Sequence, residues 1–99
     1  MRESVESFLA LGPLPSETAA PSAIKRHQEA LHAIARPISL VEADALAHMF
    51  GPDDCFGLSW TLVHLIETAP SWASEGHIPD GDGPGLQRLR RGIENAKKG

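Results

Sequence analysis

The chain carries five histidines, a single cysteine and thirteen carboxylates, and their spacing decides what chemistry they could do. "HQEALH", residues 27–32, has the composition of a zinc-protease helix, but such helices place two histidines at i and i+4 with a glutamate beside the first. His27 and His32 stand five apart, about 140° around a helix, and cannot share an ion. Asp44 and His48 do have i,i+4 spacing, yet two ligands do not close a metal site. "DGDG" opens like a calcium loop, but the fifth position would be Pro84 and the twelfth, which needs a bidentate glutamate, would be Arg91. Cys55 and His64 are nine residues apart on one predicted helix and face opposite ways, so they cannot form a nucleophile and its base. Ser59 lacks a G-x-S-x-G setting, and no glycine-rich phosphate loop precedes a helix. The sequence thus predicts no catalytic residue, no metal ligand set and no cofactor.

The elements that would position these residues are helical. Val5, Phe8 and Leu9 make an apolar stripe on a first short helix. Residues 12–21, with three prolines among small polar residues, read as a linker. Ser22 is the expected cap of a second helix whose stripe is Ile24, Leu31, Ile34 and Ala35, stopped by Pro37. Ser39 and Glu42 have the spacing of a capping box, followed by the stripe Leu46, Met49 and Phe50 and the stop Gly51-Pro52. Asp53 or Asp54 is the expected cap of the next helix, which Pro70 ends. Residues 70–85 read as a long Gly/Pro/Asp loop, and residues 86–98 as a basic amphipathic helix with the stripe Leu86, Leu89, Ile93 and Ala96. No run alternates as a strand would. The expectation is one all-α domain over residues 1–99, a bundle of four to five helices around a hydrophobic central helix near residues 53–68.

At ~100° per residue, Gly57, Thr61, His64 and Thr68 fall on one narrow stripe of that central helix, while Cys55, Phe56, Leu58, Trp60, Leu62, Val63, Leu65 and Ile66 spread over more than half its circumference. The apolar majority, Trp60 and Phe56 included, is expected in the core, with Cys55 packed there as well. Glu67 projects between Trp60 and Phe56, where it is expected either to pair with a C-terminal arginine or to reach the surface and bind outside.

Charge is unevenly placed. Eight acids and no lysine or arginine lie between Pro37 and Gln87, the last twelve residues are basic, and the net charge is -4. A long stretch without cations is a poor nucleic-acid surface and a good one for a basic protein. Trp72 and Ile78 in the long loop read as exposed. The chain is therefore expected to be a non-enzymatic protein-interaction module, with an immunity or antitoxin-type inhibitor of a basic toxin as its most concrete form. Its expected contact residues are Asp53, Asp54, Thr61, His64, Glu67, Trp72, Glu75, Asp80 and Asp82. The alternatives are a regulatory or nucleic-acid-associated protein using the basic last helix, and a small enzyme using His64 with Asp53 or Glu67. The lone cysteine, the short N-terminal apolar run and the lack of ~18 consecutive apolar residues predict a cytoplasmic chain with no membrane span.

Overall fold

The computed structural model describes residues 1–81 and 83–98, with side chains through residue 96. Six helices lie among the described residues: α1 (Glu3–Ala10), α2 (Pro21–His32), α3 (Leu40–Leu46), α4 (Leu58–Ile66), α5 (Trp72–Glu75) and α6 (Pro84–Lys98). No strand occurs among those residues. The radius of gyration, 12.8 Å, is that of a closely packed chain of this length, about 13 Å. Helices α1 and α2 pack together, α3 touches α1, α4 and α5, and α6 lies across α4 and α5.

Local chemistry sets most helix starts. α3 begins with the expected capping box: Glu42 N–H donates to Ser39 Oγ at 3.1 Å, and Ser39 N–H donates to Glu42 Oε1 at 2.9 Å. Each bond satisfies a donor that the first helical turn leaves without an intrahelical partner. Ser22 does not cap α2. The helix starts one residue earlier, at Pro21 after the N-cap Ala20, because proline has its φ preset for the first helical position and lacks only an N–H that the helix would not use there.

α4 is shorter than its sequence suggests, and neither Asp53 nor Asp54 is its cap. Cys55, Phe56 and Gly57 are all left-handed, with φ of +49°, +54° and +89°, and Gly57 precedes the first helical residue. Left-handed non-glycine residues are strained by roughly 1–2 kcal/mol each. Three carboxylates offset this by taking the three successive backbone N–H groups. Cys55 N–H donates to Asp53 Oδ1 at 3.0 Å, Phe56 N–H to Glu17 Oε1 at 3.5 Å, and Gly57 N–H to Asp54 Oδ2 at 3.0 Å. Successive backbone N–H groups of this kind form an anion-holding concavity, and here the chain fills it with its own acids.

Residues 12–21 are packed rather than strung across the surface. Leu14 is 2% exposed, and its N–H donates to Met49 C=O at 2.8 Å. Residues 70–85 are likewise not all loop, since α5 forms within them and buries Trp72. The core comprises Val5 and Phe8 of α1, Leu31 of α2, Leu46 of α3, Leu62, Val63 and Ile66 of α4, Trp72 of α5 and Leu89 of α6, among others. Cys55 is buried with them, as expected. Gly85 lets α6 close onto this core, because a Cβ there would run into the ring of Phe50. Ala96 and Ala35, assigned to apolar stripes, are exposed.

Candidate functional site

The acids expected to face a partner divide into structural and outward groups. Asp53 is structural: it accepts from Ser16 Oγ at 3.1 Å, from the Glu17 N–H and from the Cys55 N–H. The Glu17 backbone bond, helped by those from Cys55 and Ser16, holds its carboxyl below the usual range against the opposing effect of burial. Glu42 is buried, and the Arg2 guanidinium, with the Ser39 and Arg2 backbone N–H groups, brings its pKa down to about 2 despite desolvation. Asp54, Glu67, Glu75 and Asp80 are exposed. Asp44 is half-buried, accepting from the His77 N–H at 3.1 Å, with the imidazole Nδ1 at 3.9 Å. Asp82 lies outside the described residues.

The stripe Gly57, Thr61, His64 and Thr68 is not the outward face of α4. Thr61 is half-buried and donates to Gly57 C=O at 3.2 Å. Thr68 is half-buried too, donating to Leu65 C=O and accepting from Ile38 N–H. His64 is exposed. The open face lies one step round the helix, through Trp60, His64 and Glu67, with Phe56 exposed in the left-handed turn before it. Phe56 is 70% exposed and Trp60 46%, which corrects their assignment to the core. α3 and α6 pack against α4, and Trp60 lies at the edge of the α6 contact, where only Arg88 reaches over its ring among the described residues.

Trp72 is corrected in the opposite sense. It is 4% exposed, set against Gly76 and beneath α6, and cannot meet a partner. The two tryptophans have thus exchanged the positions that their sequence neighbourhoods suggest. Of the two outcomes expected for Glu67, pairing with a C-terminal arginine or reaching the surface, the structure has the second, since Glu67 is exposed. Its carboxylate rests against Gly92 of α6, and among the described residues no ion pair reaches it.

α6 completes the surface around Trp60. The Arg88 guanidinium carbon sits 4.5 Å from the Trp60 ring centroid, a cation–π contact. The His64 ring meets Trp60 edge-on, with centroids 4.8 Å apart. Between α4 and α6 lies a cleft of about 270 Å³ that includes Asp54, Trp60, Val63, Arg88 and Arg91. Phe56 borders a second, shallower groove with Pro21, Ile24 and Lys25 of α2. The sequence reading missed Phe56, Trp60, Arg88 and Arg91 as one surface. The i,i+4 spacing of Trp60 and His64 was a signal for part of it.

No hydrogen bond joins His64 to Asp53 or Glu67 among the described residues, and Asp53 is turned toward the Ser16–Glu17 loop. Burial first, then the nearby carboxylates of Asp53, Glu17 and Asp54, pushes the Cys55 thiol up and away from the reactive thiolate. No group of three or more potential metal ligands occurs among the described residues. No helix among them is long and apolar enough to cross a membrane. Compared with protein-family models, characterised proteins and solved structures, the chain matches none.

Proposed function

We propose that this chain is a non-enzymatic protein-binding module that engages its partner through the open face of α4, in the manner of an immunity or antitoxin-type inhibitor of a basic protein. The observation that carries the reading is the exposure of Phe56, in the turn that leads into α4, and of Trp60, on α4 itself, two of the five aromatic residues of the chain. Leaving that much aromatic surface in water forgoes roughly 1.5–3 kcal/mol per side chain. Tryptophan and arginine are the residues most enriched at interface hot spots, and here Arg88 stacks on Trp60. Asp54 and Glu67, both exposed, lie at the two ends of the face, where they would steer a basic partner.

The basic last helix is less suited to nucleic acid than its sequence suggests. Arg88 is stacked on Trp60, and Arg90 Nη2 donates to Pro79 C=O at 3.1 Å, so two of its cations already have internal contacts.

Affinity capture from the host tests the reading. The wild-type chain is expected to retain a basic protein that Trp60→Ala releases and that Asp54→Lys with Glu67→Lys releases in a salt-dependent manner. A captured set unchanged by these substitutions would refute the assignment of this face.

A further inference from the structure

We infer that the cleft between α4 and α6 binds a small organic anion, a carboxylate or phosphate carried on an apolar stem. Arg88 and Arg91 both line this cleft. They stand three residues apart on α6, which places their Cβ atoms about 5–6 Å apart, and like charges at such spacing repel. Arg2 is bound to Glu42 and Ala35 C=O, and Arg90 to Pro79 C=O. Among the described residues Arg88 and Arg91, like Arg26 and Arg36, have no such partner, but only Arg88 and Arg91 share a cleft. Among the described residues neither makes a hydrogen bond or ion pair, although Asp54 lines the same cleft and the chain has more acids than bases.

The geometry of the pair suits an oxyanion. Arg88 is held over the Trp60 ring, its guanidinium carbon 4.5 Å from the centroid, and this cation–π contact uses none of its N–H donors on an oxygen. Arg91, one turn along, can supply a second fork to the same ligand. Trp60 and Val63 add apolar lining to the cleft, so an anion with a hydrophobic stem gains contacts that a bare ion does not. A volume of about 270 Å³ fits a single ring rather than a drug-sized molecule, for which pockets start at roughly 300 Å³. Asp54 opposes any anion here, and its one charge against two leaves the cleft net positive.

The site does not depend on the partner-binding reading, since protein capture can fail while anion binding persists. Benzoate, phenyl phosphate and inorganic phosphate are titrated at low salt into the full chain, following the indole N–H resonances of Trp60 and Trp72. Trp60→Phe assigns the two signals. Saturating displacement of the Trp60 resonance by benzoate or phenyl phosphate is expected, in the millimolar range or tighter, with the buried Trp72 unmoved. The better of the two identifies the headgroup, and inorganic phosphate is expected to bind more weakly than either. Arg88→Gln and Arg91→Gln should each weaken binding roughly tenfold or more, with an unchanged Trp72 resonance reporting an intact fold. Asp54→Asn should tighten it by removing a like charge, an effect that a merely structural role for Asp54 would not produce. The inference is overturned if neither organic anion saturates, if both arginine variants bind as the wild type does, or if inorganic phosphate binds as tightly as the organic anions.

Discussion

Replacing Glu42 by glutamine tests how α1 is held to α3. The carboxylate accepts four hydrogen bonds: from Arg2 Nε at 3.1 Å, Arg2 Nη2 at 3.2 Å, the Arg2 N–H at 3.4 Å and the Ser39 N–H at 2.9 Å. Its pKa falls from 4.5 to about 2, a gap worth at most ~3.5 kcal/mol at ~1.4 kcal/mol per tenfold change in proton affinity. The Arg2 side chain is 38% exposed, so water screens part of this, and ~2 kcal/mol is the expected loss in Glu42→Gln at pH 7. Because the folded-state pKa lies below the unfolded one, the stabilisation is complete above 4.5 and disappears as pH falls toward about 2. Urea unfolding followed by circular dichroism should therefore show a wild-type advantage of ~2 kcal/mol at neutral pH that shrinks to near zero at the acid end. A double-mutant cycle with Arg2→Met should give a coupling of ~1 kcal/mol or more. A wild-type advantage that does not change between neutral pH and pH ~3, or a coupling below ~0.5 kcal/mol, would refute the argument, because it would mean that the pair behaves as an ordinary surface contact.

Two further outcomes follow from burial. Cys55 is 0% exposed and its thiol is pushed up by burial, so a thiol reagent at pH 8 should label it only as fast as the chain opens, and urea should accelerate labelling in step with unfolding; prompt labelling of the native chain would contradict its placement. Trp60 is 46% exposed and Trp72 4%, so acrylamide should quench the fluorescence of Trp72→Phe far more strongly than that of Trp60→Phe. Trp72→Ala should also cost ~3–5 kcal/mol, whereas Trp60→Ala should cost ~1 kcal/mol or less, and equal losses would mean that α4 is covered on its third side.

Much of the fold was legible in residues that act on their immediate neighbours. The Ser39–Glu42 box and the buried Val5 and Phe8 of the α1 stripe depend on contacts within a few residues and took the expected form, whereas α2, α3 and α4 end at His32, Leu46 and Ile66, several residues before the prolines expected to stop them, and Ala96 of the α6 stripe is exposed. Where a longer-range contact competed, the local reading failed. Asp53 resembles a helix cap in sequence, but Glu17 and Ser16, 36 and 37 residues away, recruit it into the turn and delay α4 to Leu58. The candidate site was the least legible part, because it is defined by which face stays uncovered rather than by any motif.

The sequence by itself determined that the chain would be helical, where α3 would start, and that a largely apolar α4 would be buried along most of its girth. Only the tertiary structure decided which tryptophan is buried. Trp60 and Trp72 have the same drive to leave water, and Trp60 even sits in the more apolar neighbourhood. α4 is packed against α3 and α6 and opens along the Trp60 face. α6, packing across α5 as well, closes over Trp72 instead. Hydrophobicity fixes how much surface a side chain tends to bury, and the placement of its neighbours fixes whether that burial is available.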